Sequence, residues 1–440
     1  MKITMEDEIN FKPLTPDDVK KILGLTIKHD EENKLITFLC MLSAYTEDSQ
    51  FNISFNAPSS SGKSYIPTEI AQLFPSEDIR ELGYCSPTAF FHDNAEKHIK
   101  ERNELIINLS KKIIIFLDQP HTLLLEHLRP ILSHDKKEIR IKITDKQQKG
   151  GLKTKNVLVI GFPSVIFCTA GLRLDEQEST RFIVLSPEIT QEKITSGILE
   201  KIKKFTNKEE YYLNLKANEE RENLKKRILA IKEANISDVI ITNSDKIEKE
   251  FFKRTKILKP RHQRDIGRLI SLIKAFALLN LWFRERKESQ IIAKDEDIDN
   301  AFSLWDKISE SQELNIPPYI YNLYKEIILP VFKEKNDGVD GGVTGLTKKD
   351  ILEKHYQIYG RVLSDFQLRK EIIPALEIAG LIFQEPDPND KRKILIYPST
   401  QSITSFETKE NSGVEGGVEL DIFSENQKMD ENIDPDEIPI

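Results

Sequence analysis

Residues 51–67, FNISFNAPSSSGKSYIP, join an alternating strand to a serine-rich loop that ends in Gly62-Lys63-Ser64. This strand–loop–helix order predicts a loop whose backbone N–H groups curl around an anion at a helix N-terminus. The residues expected to surround a phosphate are Ala57, Pro58, Ser59, Ser60, Ser61, Gly62, Lys63, Ser64 and Tyr65. The sequence therefore predicts a phosphate site directly after the first strand of a sheet.

The first position of this loop departs from the usual pattern, because Ala57 stands where a glycine is expected. An alanine methyl is tolerated if φ is negative at this position and strained if the backbone is left-handed. Pro58 follows and stiffens the loop. The alternative interpretation is a serine-rich turn before a helix, with no bound nucleotide.

A second motif favours the nucleotide interpretation. The run KKIIIFLDQP places Asp118 after an apolar segment typical of a buried parallel strand. Lys63 is expected to reach the outer phosphates of ATP, while Ser64 and Asp118 hold Mg²⁺. We therefore expect ATP and Mg²⁺ as the ligands of this site.

Gln119 follows Asp118 where many ATPases carry an acid that polarises the attacking water. A glutamine can orient water but accepts no proton, so hydrolysis is expected to be slow or to need another group. The nearby candidates for such a group are His121, Glu126, Glu176 and Glu178. For each of them a surface role is more common than a catalytic one.

Strands alternate with helices up to about residue 190, which predicts an α/β domain with a parallel sheet and helices on both faces. A charged region that is predicted to be all-helical follows, and a glycine-rich break at 335–345 precedes a helix–helix–strand–strand segment. The predicted divisions are an N-terminal helical extension (1–32), an ATPase core (33–190), a helical lid (191–312), a winged-helix domain (313–400) and a disordered acidic tail (401–440).

Charge and cysteine content restrict the function little. The formal net charge is −8, but residues 401–440 contain 11 Asp/Glu and 2 Lys, so the remainder is close to neutral. The N-terminus lacks the apolar run of a signal peptide, and no segment is long enough to span a membrane. The three cysteines, Cys40, Cys85 and Cys168, are far apart and lack metal-ligand spacing, so we expect them to be buried thiols. Free thiols are typical of a reducing compartment, and we therefore expect a cytoplasmic protein.

Over residues 30–310 the chain resembles the AAA+ ATPases, in particular the minichromosome maintenance (MCM) helicases. It also resembles the helicase-like ATPases encoded beside primases in phages and mobile elements. The phosphate loop and Asp118 carry this resemblance together with SVIFCTA, which ends near Thr169. Arg181 in STRF and Arg264 in QRDIGRLISLIKAFA complete it. Thr169 departs from the family, in which asparagine is more common at that position.

The resemblance implies a ring, expected to be a homo-hexamer, that moves on DNA during replication of a mobile element or small genome. It implies that Thr169 contacts the γ-phosphate or the water, and that Arg181 is a finger directed into the neighbouring subunit. Arg264 would be the second sensor arginine, on the lid helix. Without the resemblance, either arginine is more simply a surface salt-bridge residue. A primase or another replication protein is an expected partner.

A lysine-rich hairpin precedes the strand that ends at Thr169. In the resembling helicases a hairpin at this position enters the central pore and grips single-stranded DNA through phosphate contacts. A solvated hairpin tip is the alternative, because exposed turns are often lysine-rich. The candidate DNA-binding residues are Lys146, Lys149, Lys153 and Lys155.

The predicted winged helix carries further cations that could meet duplex DNA. Those assigned to its second helix are Arg361, Arg369 and Lys370, and those assigned to its wing are Lys391, Arg392 and Lys393. Winged helices also mediate protein contacts, so both roles stay open.

Two other functions compete with the helicase. One is an ATP-switched loader or transposition regulator that hydrolyses slowly, which Gln119 favours. The other is a regulator with a degenerate ATPase core that acts through its winged helix, and the presence of Lys63, Ser64 and Asp118 argues against it.

Overall fold

The computed structural model describes residues 11–83, 85–93, 97–99, 104–145, 153–169, 181–255, 257–337 and 343–399. In chain order the strands are β1 (Ile53–Asn56), β2 (Ile79–Leu82), β3 (Lys97–Ile99), β4 (Glu104–Asn108), β5 (Ile113–Phe116), β6 (Glu138–Asp145), β7 (Lys153–Ile160), β8 (Ser164–Thr169), β9 (Ile183–Leu185), β10 (Asp238–Ile240), β11 (Arg286–Lys287), β12 (Gln290–Ile292), β13 (Ile382–Pro386) and β14 (Ile394–Pro398).

The α-helices of the described residues, numbered in the same way, are α1 (Pro16–Leu23), α2 (Glu31–Ser43), α3 (Tyr65–Ala71), α4 (Pro87–Asp93), α5 (Thr122–Leu132), α6 (Gln191–Thr206), α7 (Lys208–Ala217), α8 (Glu219–Ala234), α9 (Ser244–Arg254), α10 (His262–Leu279), α11 (Asp295–Asp306), α12 (Ser309–Glu313), α13 (Pro318–Leu323), α14 (Leu329–Asn336), α15 (Lys348–Tyr359), α16 (Asp365–Gln367) and α17 (Ile373–Ile378). Short π-helical turns join α13 to α14 and α16 to α17.

The central sheet has the strand order β2-β5-β8-β1-β9, and every neighbouring pair is parallel. After β1 the chain crosses to the outermost strand β2 and returns through β5 to β8, which lies beside β1. It then passes β1 and forms β9 on the other side. The direction of winding therefore reverses beside β1, and ligands of open α/β sheets bind outside the carboxyl ends of strands at such a reversal. The predicted α/β fold with a parallel sheet is confirmed.

Both faces of this sheet are buried, as the uninterrupted apolar strands predict. In β5, Ile113 and Ile115 belong to one hydrophobic cluster, and Ile114 and Phe116 belong to another on the opposite face. The first cluster includes α1, α2, α8, α10 and α11, so part of the region predicted as a lid shares its core with the sheet. The second includes α4, α5 and the strands β4, β6 and β7.

The predicted hairpin is present, because β6 and β7 pair antiparallel from Glu138↔Ile160 to Asp145↔Lys153. It belongs to a second sheet with the order β3-β4-β7-β6, in which β4 and β7 are parallel. Neither β3 nor β4 was predicted from the sequence. The region after residue 190 is also not all-helical, because β10, β12 and β11 form a small sheet there. Such short strands carry little periodic signal and depend on partners far along the chain.

The C-terminal described residues have a hydrophobic cluster of their own, formed by α13 to α17 with β13 and β14. The predicted order of two helices and two antiparallel strands is present. Ser364 caps α16 by accepting a hydrogen bond from the Gln367 N–H. Arg361 was predicted to lie in the second helix of this segment, and this prediction is wrong. Arg361 lies in the turn between α15 and α16, because Gly360 ends α15 in a left-handed conformation. Within the described part of the chain, none of the helices is both long and apolar enough to cross a membrane.

Candidate nucleotide site

The predicted phosphate loop connects the carboxyl end of β1 to the N-terminus of α3. Its turn uses left-handed backbone at Ser60 (φ 64°) and Gly62 (φ 94°), whereas Ala57 keeps a negative φ and is fully buried. The alanine is therefore unstrained, because only a left-handed conformation there would need glycine. No atom lies within 4 Å of a Cβ built on Gly62, so its conformation, rather than crowding, favours glycine.

The polar groups of the loop suit an anion. The Ser61 hydroxyl is buried and has no hydrogen-bond partner among the described residues. The Ser64 side chain is exposed and makes no capping hydrogen bond to α3. The Lys63 ammonium adds a cation to these hydroxyls, and together they form a set of donors that fits a phosphate. The Tyr65 and Ile66 N–H groups at the start of α3 donate to the Gly62 carbonyl.

Lys63 is half-buried, and its ammonium donates a 3.1 Å hydrogen bond to the Pro58 carbonyl. Partial burial lowers its pKa below the ordinary value for lysine, while Cys168 and Asp118 act in the opposite direction. A lysine folded onto its own loop can turn to an incoming phosphate, because the carbonyl is a weaker partner than an anion.

Three neighbouring strands bring the second motif to this loop. The Thr169 carbonyl at the end of β8 accepts a hydrogen bond from the Ala57 N–H (3.4 Å). The Thr169 hydroxyl, almost fully buried, donates to the Gln119 side-chain carbonyl at 3.3 Å. Asp118, two residues beyond β5, is exposed and accepts from the Gln119 N–H at 2.8 Å. The predicted residues Lys63, Asp118, Gln119 and Thr169 therefore lie at one edge of the sheet.

The other candidate acids and bases are not assembled there. His121 is the N-cap of α5 and accepts a hydrogen bond from the Leu123 N–H, and Glu126 is exposed on the same helix. Glu176 and Glu178 lie outside the described residues. A capping role accounts for His121 without catalysis.

The two predicted arginines lie together at the opposite side of the sheet, where the parallel strands have their amino ends. Arg181 and Arg264 line one cleft with residues 48–52, which directly precede β1, and with residues 132–135 after α5. The Arg181 guanidinium donates a 2.6 Å hydrogen bond to the Ser133 hydroxyl. Because the phosphate loop follows β1 and this cleft precedes it, neither arginine can reach the loop of its own chain.

The cations predicted to bind DNA are only partly described. Lys146 and Lys149 lie outside the described residues. Lys153 and Lys155 lie at the start of β7, where they pair with Asp145 and Ile143 of β6. In the C-terminal segment, the side chains of Lys370, Lys391, Arg392 and Lys393 are exposed. Arg369 is also exposed and lies 3.8 Å from Asp365.

Sequence reasoning missed residues that approach the phosphate loop from other elements. The Lys193 ammonium, on α6, donates to the Ser61 carbonyl at 3.5 Å and pairs with the buried Asp30 carboxylate. The Ser186 hydroxyl donates to the Asn56 carbonyl at 2.6 Å. Both residues follow the loop by more than 120 positions, and no local pattern marks them.

No protein-family model matches the sequence, and no curated protein matches it. Among solved structures, the chain is similar to a full-length MCM homologue from Methanopyrus kandleri, with a TM-score of 0.40 and 13% sequence identity. The match covers 69% of this chain and 63% of that one, so this chain spans less than two thirds of its length.

Proposed function

We propose that the chain is an ATPase of the AAA+ type, and that its active site is completed between two copies of the chain. One observation carries the proposal: the phosphate loop, Asp118 and Thr169 meet at the carboxyl edge of the sheet, whereas Arg181 and Arg264 lie at the amino edge. An arginine that stabilises a transferring phosphoryl group must reach it directly. Head-to-tail packing of copies would bring the two edges together.

Each residue then has a defined task. The loop N–H groups and Lys63 bind the phosphates, and Gln119, held by Thr169, orients water. When bound, Mg²⁺ would be held by Ser64 and Asp118 and would neutralise charge on the phosphates. Arg181 and Arg264 of a neighbouring copy would stabilise the charge that develops during transfer.

We further propose that this motor is a DNA helicase or translocase that works as a hexamer in replication. The hairpin β6–β7 would present its lysines to single-stranded DNA, and the C-terminal segment, as a winged helix, would contact duplex. Such contacts are independent of sequence and weaken with salt. Steady-state ATP hydrolysis with and without single-stranded DNA tests the proposal. We expect stimulation by DNA that declines from 50 to 200 mM salt, and unchanged hydrolysis would contradict a motor.

A second candidate function is an ATP-dependent switch that hydrolyses slowly. The contact between the Gln119 carbonyl and the Thr169 hydroxyl favours it, because this arrangement orients the amide and supplies no base.

Gln119→Glu distinguishes the two functions. A carboxylate can accept the same Thr169 hydrogen bond and a proton from water, and a general base contributes roughly 10²–10⁴-fold. For a switch limited by its missing base, we expect turnover to rise at least about tenfold in single-turnover assays. For a motor that uses Gln119 as it stands, turnover should stay constant or fall. Gln119→Ala is the control for loss of the contact.

Self-association is expected to involve the exposed face of α6. Its inner side faces the phosphate-loop region through Lys193 and Lys204, which contact Ser61 and Glu69. Its outer side exposes Ile194, Ile198, Leu199, Ile202 and Phe205, the last of these 76% exposed. Apolar rows of this kind commonly mark interfaces.

Ile198→Lys is therefore expected to weaken self-association by about tenfold or more, because it removes an apolar contact and places a charge in the interface. Sedimentation velocity over a range of concentrations, with ATP and Mg²⁺, measures this. Ile378→Lys, which makes the same substitution at an isoleucine of α17 that is 88% exposed, is the matched control. Equal association of both variants and the wild type would exclude α6 from the interface.

A further inference from the structure

A cavity of about 250 Å³ lies between the phosphate loop and the C-terminal segment. Pro58 forms its wall on the loop side, and residues 187–190 after β9 form another wall. Tyr319, Tyr359 and Arg361 contribute from the C-terminal side. This segment, predicted from sequence as a winged helix that contacts either DNA or protein, therefore faces the nucleotide site of its own chain.

Direct hydrogen bonds hold the two sides of the cavity together. The Ser186 hydroxyl, which donates to the Asn56 carbonyl at the end of β1, also accepts from the Tyr319 N–H at 3.2 Å. The Gln191 side-chain amide donates to the Tyr359 carbonyl at 2.6 Å. The turn that carries Arg361 begins directly after Tyr359, so these contacts hold the turn beside the segment that follows β9.

Arg361 shares the lining of this cavity with the carboxylates Glu188 and Glu326. The Lys63 ammonium bonds the Pro58 carbonyl, and Pro58 and Arg361 line the same space. Next to burial, which has the larger effect, the positive charge of Arg361 lowers the pKa of Lys63. The Arg361 guanidinium has no ion pair or side-chain hydrogen bond among the described residues. The Glu326 carboxylate accepts a hydrogen bond from the Tyr359 hydroxyl at 2.5 Å.

Lys63 is bonded to Pro58, and Arg361 lines the same cavity as Pro58, so two cations lie near the phosphate-binding loop and favour an anion between them. A guanidinium suits a phosphate because its planar donors match two oxygens at once. We propose that Arg361 contacts the terminal phosphate of the nucleoside triphosphate bound in its own chain, which draws the C-terminal segment onto the loop. This inference rests on the proposed ATP site, and it couples that site to residues 313–399 without a second subunit.

Arg361→Gln tests the contact by binding rather than turnover. Calorimetric titration compares ADP with a non-hydrolysable ATP analogue, with Arg286→Gln as the matched control, because Arg286 is an exposed arginine of β11 outside the cavity. We expect Arg361→Gln to weaken the ATP analogue by about tenfold to a hundredfold, as for a lost charged hydrogen bond. We expect Arg361→Gln to change ADP affinity by less than about threefold, and Arg286→Gln to change neither affinity.

Hydrogen exchange supplies a second readout in the full chain. In the wild type, the ATP analogue should slow exchange in residues 355–363 more than ADP does, and Arg361→Gln should remove this difference. Unchanged analogue affinity in Arg361→Gln, with normal binding by the wild type, would overturn this inference and leave the ATP site intact. Failure of the wild type to bind either nucleotide would overturn the proposed function as well.

Discussion

Replacing Lys63 with alanine is expected to abolish ATP binding and hydrolysis. Lys63 is the cation of the phosphate loop, and the charge of Asp118 acts on it. Its ammonium donates to a loop carbonyl that a phosphate can replace. Loss of one preorganised donor to developing charge costs roughly 10²–10³-fold in turnover. Here the ground-state phosphates lose the same partner, so ATP affinity should also fall.

Equilibrium titration with a fluorescent ATP analogue and steady-state phosphate release measure the two effects. Lys349→Ala is the control, because Lys349 has a side chain that is 80% exposed and belongs to α15, away from the loop. Thermal unfolding of each variant verifies that the fold persists. Wild-type ATP affinity and turnover in Lys63→Ala would mean that the loop is a serine-rich turn with no nucleotide.

Removing Arg181 is expected to give a different defect. Because Arg181 lies at the amino edge of the sheet, it should leave binding of ATP within its own chain nearly unchanged. Hydrolysis should fall by about 10³-fold or more, since arginine fingers supply 10³–10⁵ in turnover. Arg181→Ala and Arg181→Lys separate charge from geometry, because lysine keeps the charge but loses the bidentate fork.

The contact of Arg181 with Ser133 requires its own control, because its loss could disturb the fold. Ser133→Ala removes that contact and keeps the arginine, so it should retain most of the hydrolysis. If Ser133→Ala and Arg181→Ala are equally inactive and equally destabilised, Arg181 has a structural role instead.

The sequence allowed the central sheet to be predicted because its strands carry strong local signals. Residues 113–116 are apolar on both sides, and the phosphate loop pairs a strand with a Gly-Lys-Ser turn before a helix. The strand β4 and the small sheet formed by β10, β11 and β12 were missed, because two to five residues give little periodicity.

The arrangement of the site was predictable only in part. Lys63, Asp118 and Thr169 follow parallel strands, and the carboxyl ends of such strands meet at one edge, so their proximity follows from topology. The position of Arg264 depends on how α10 packs against α2, and that of Arg361 depends on how the C-terminal segment docks. Neither packing is encoded in a local pattern, and therefore the sequence could not place these arginines.

The most direct test of a site shared between copies is hydrolysis by mixtures of Lys63→Ala and Arg181→Ala. Each variant alone lacks one half of every site, but a Lys63→Ala copy can supply Arg181 to the intact loop of an Arg181→Ala copy. In an equal, randomly assembled mixture, roughly a quarter of the interfaces should be complete, which predicts about a quarter of wild-type turnover. Mixtures that remain as inactive as the separate variants, although they co-assemble, would contradict a site built from two chains.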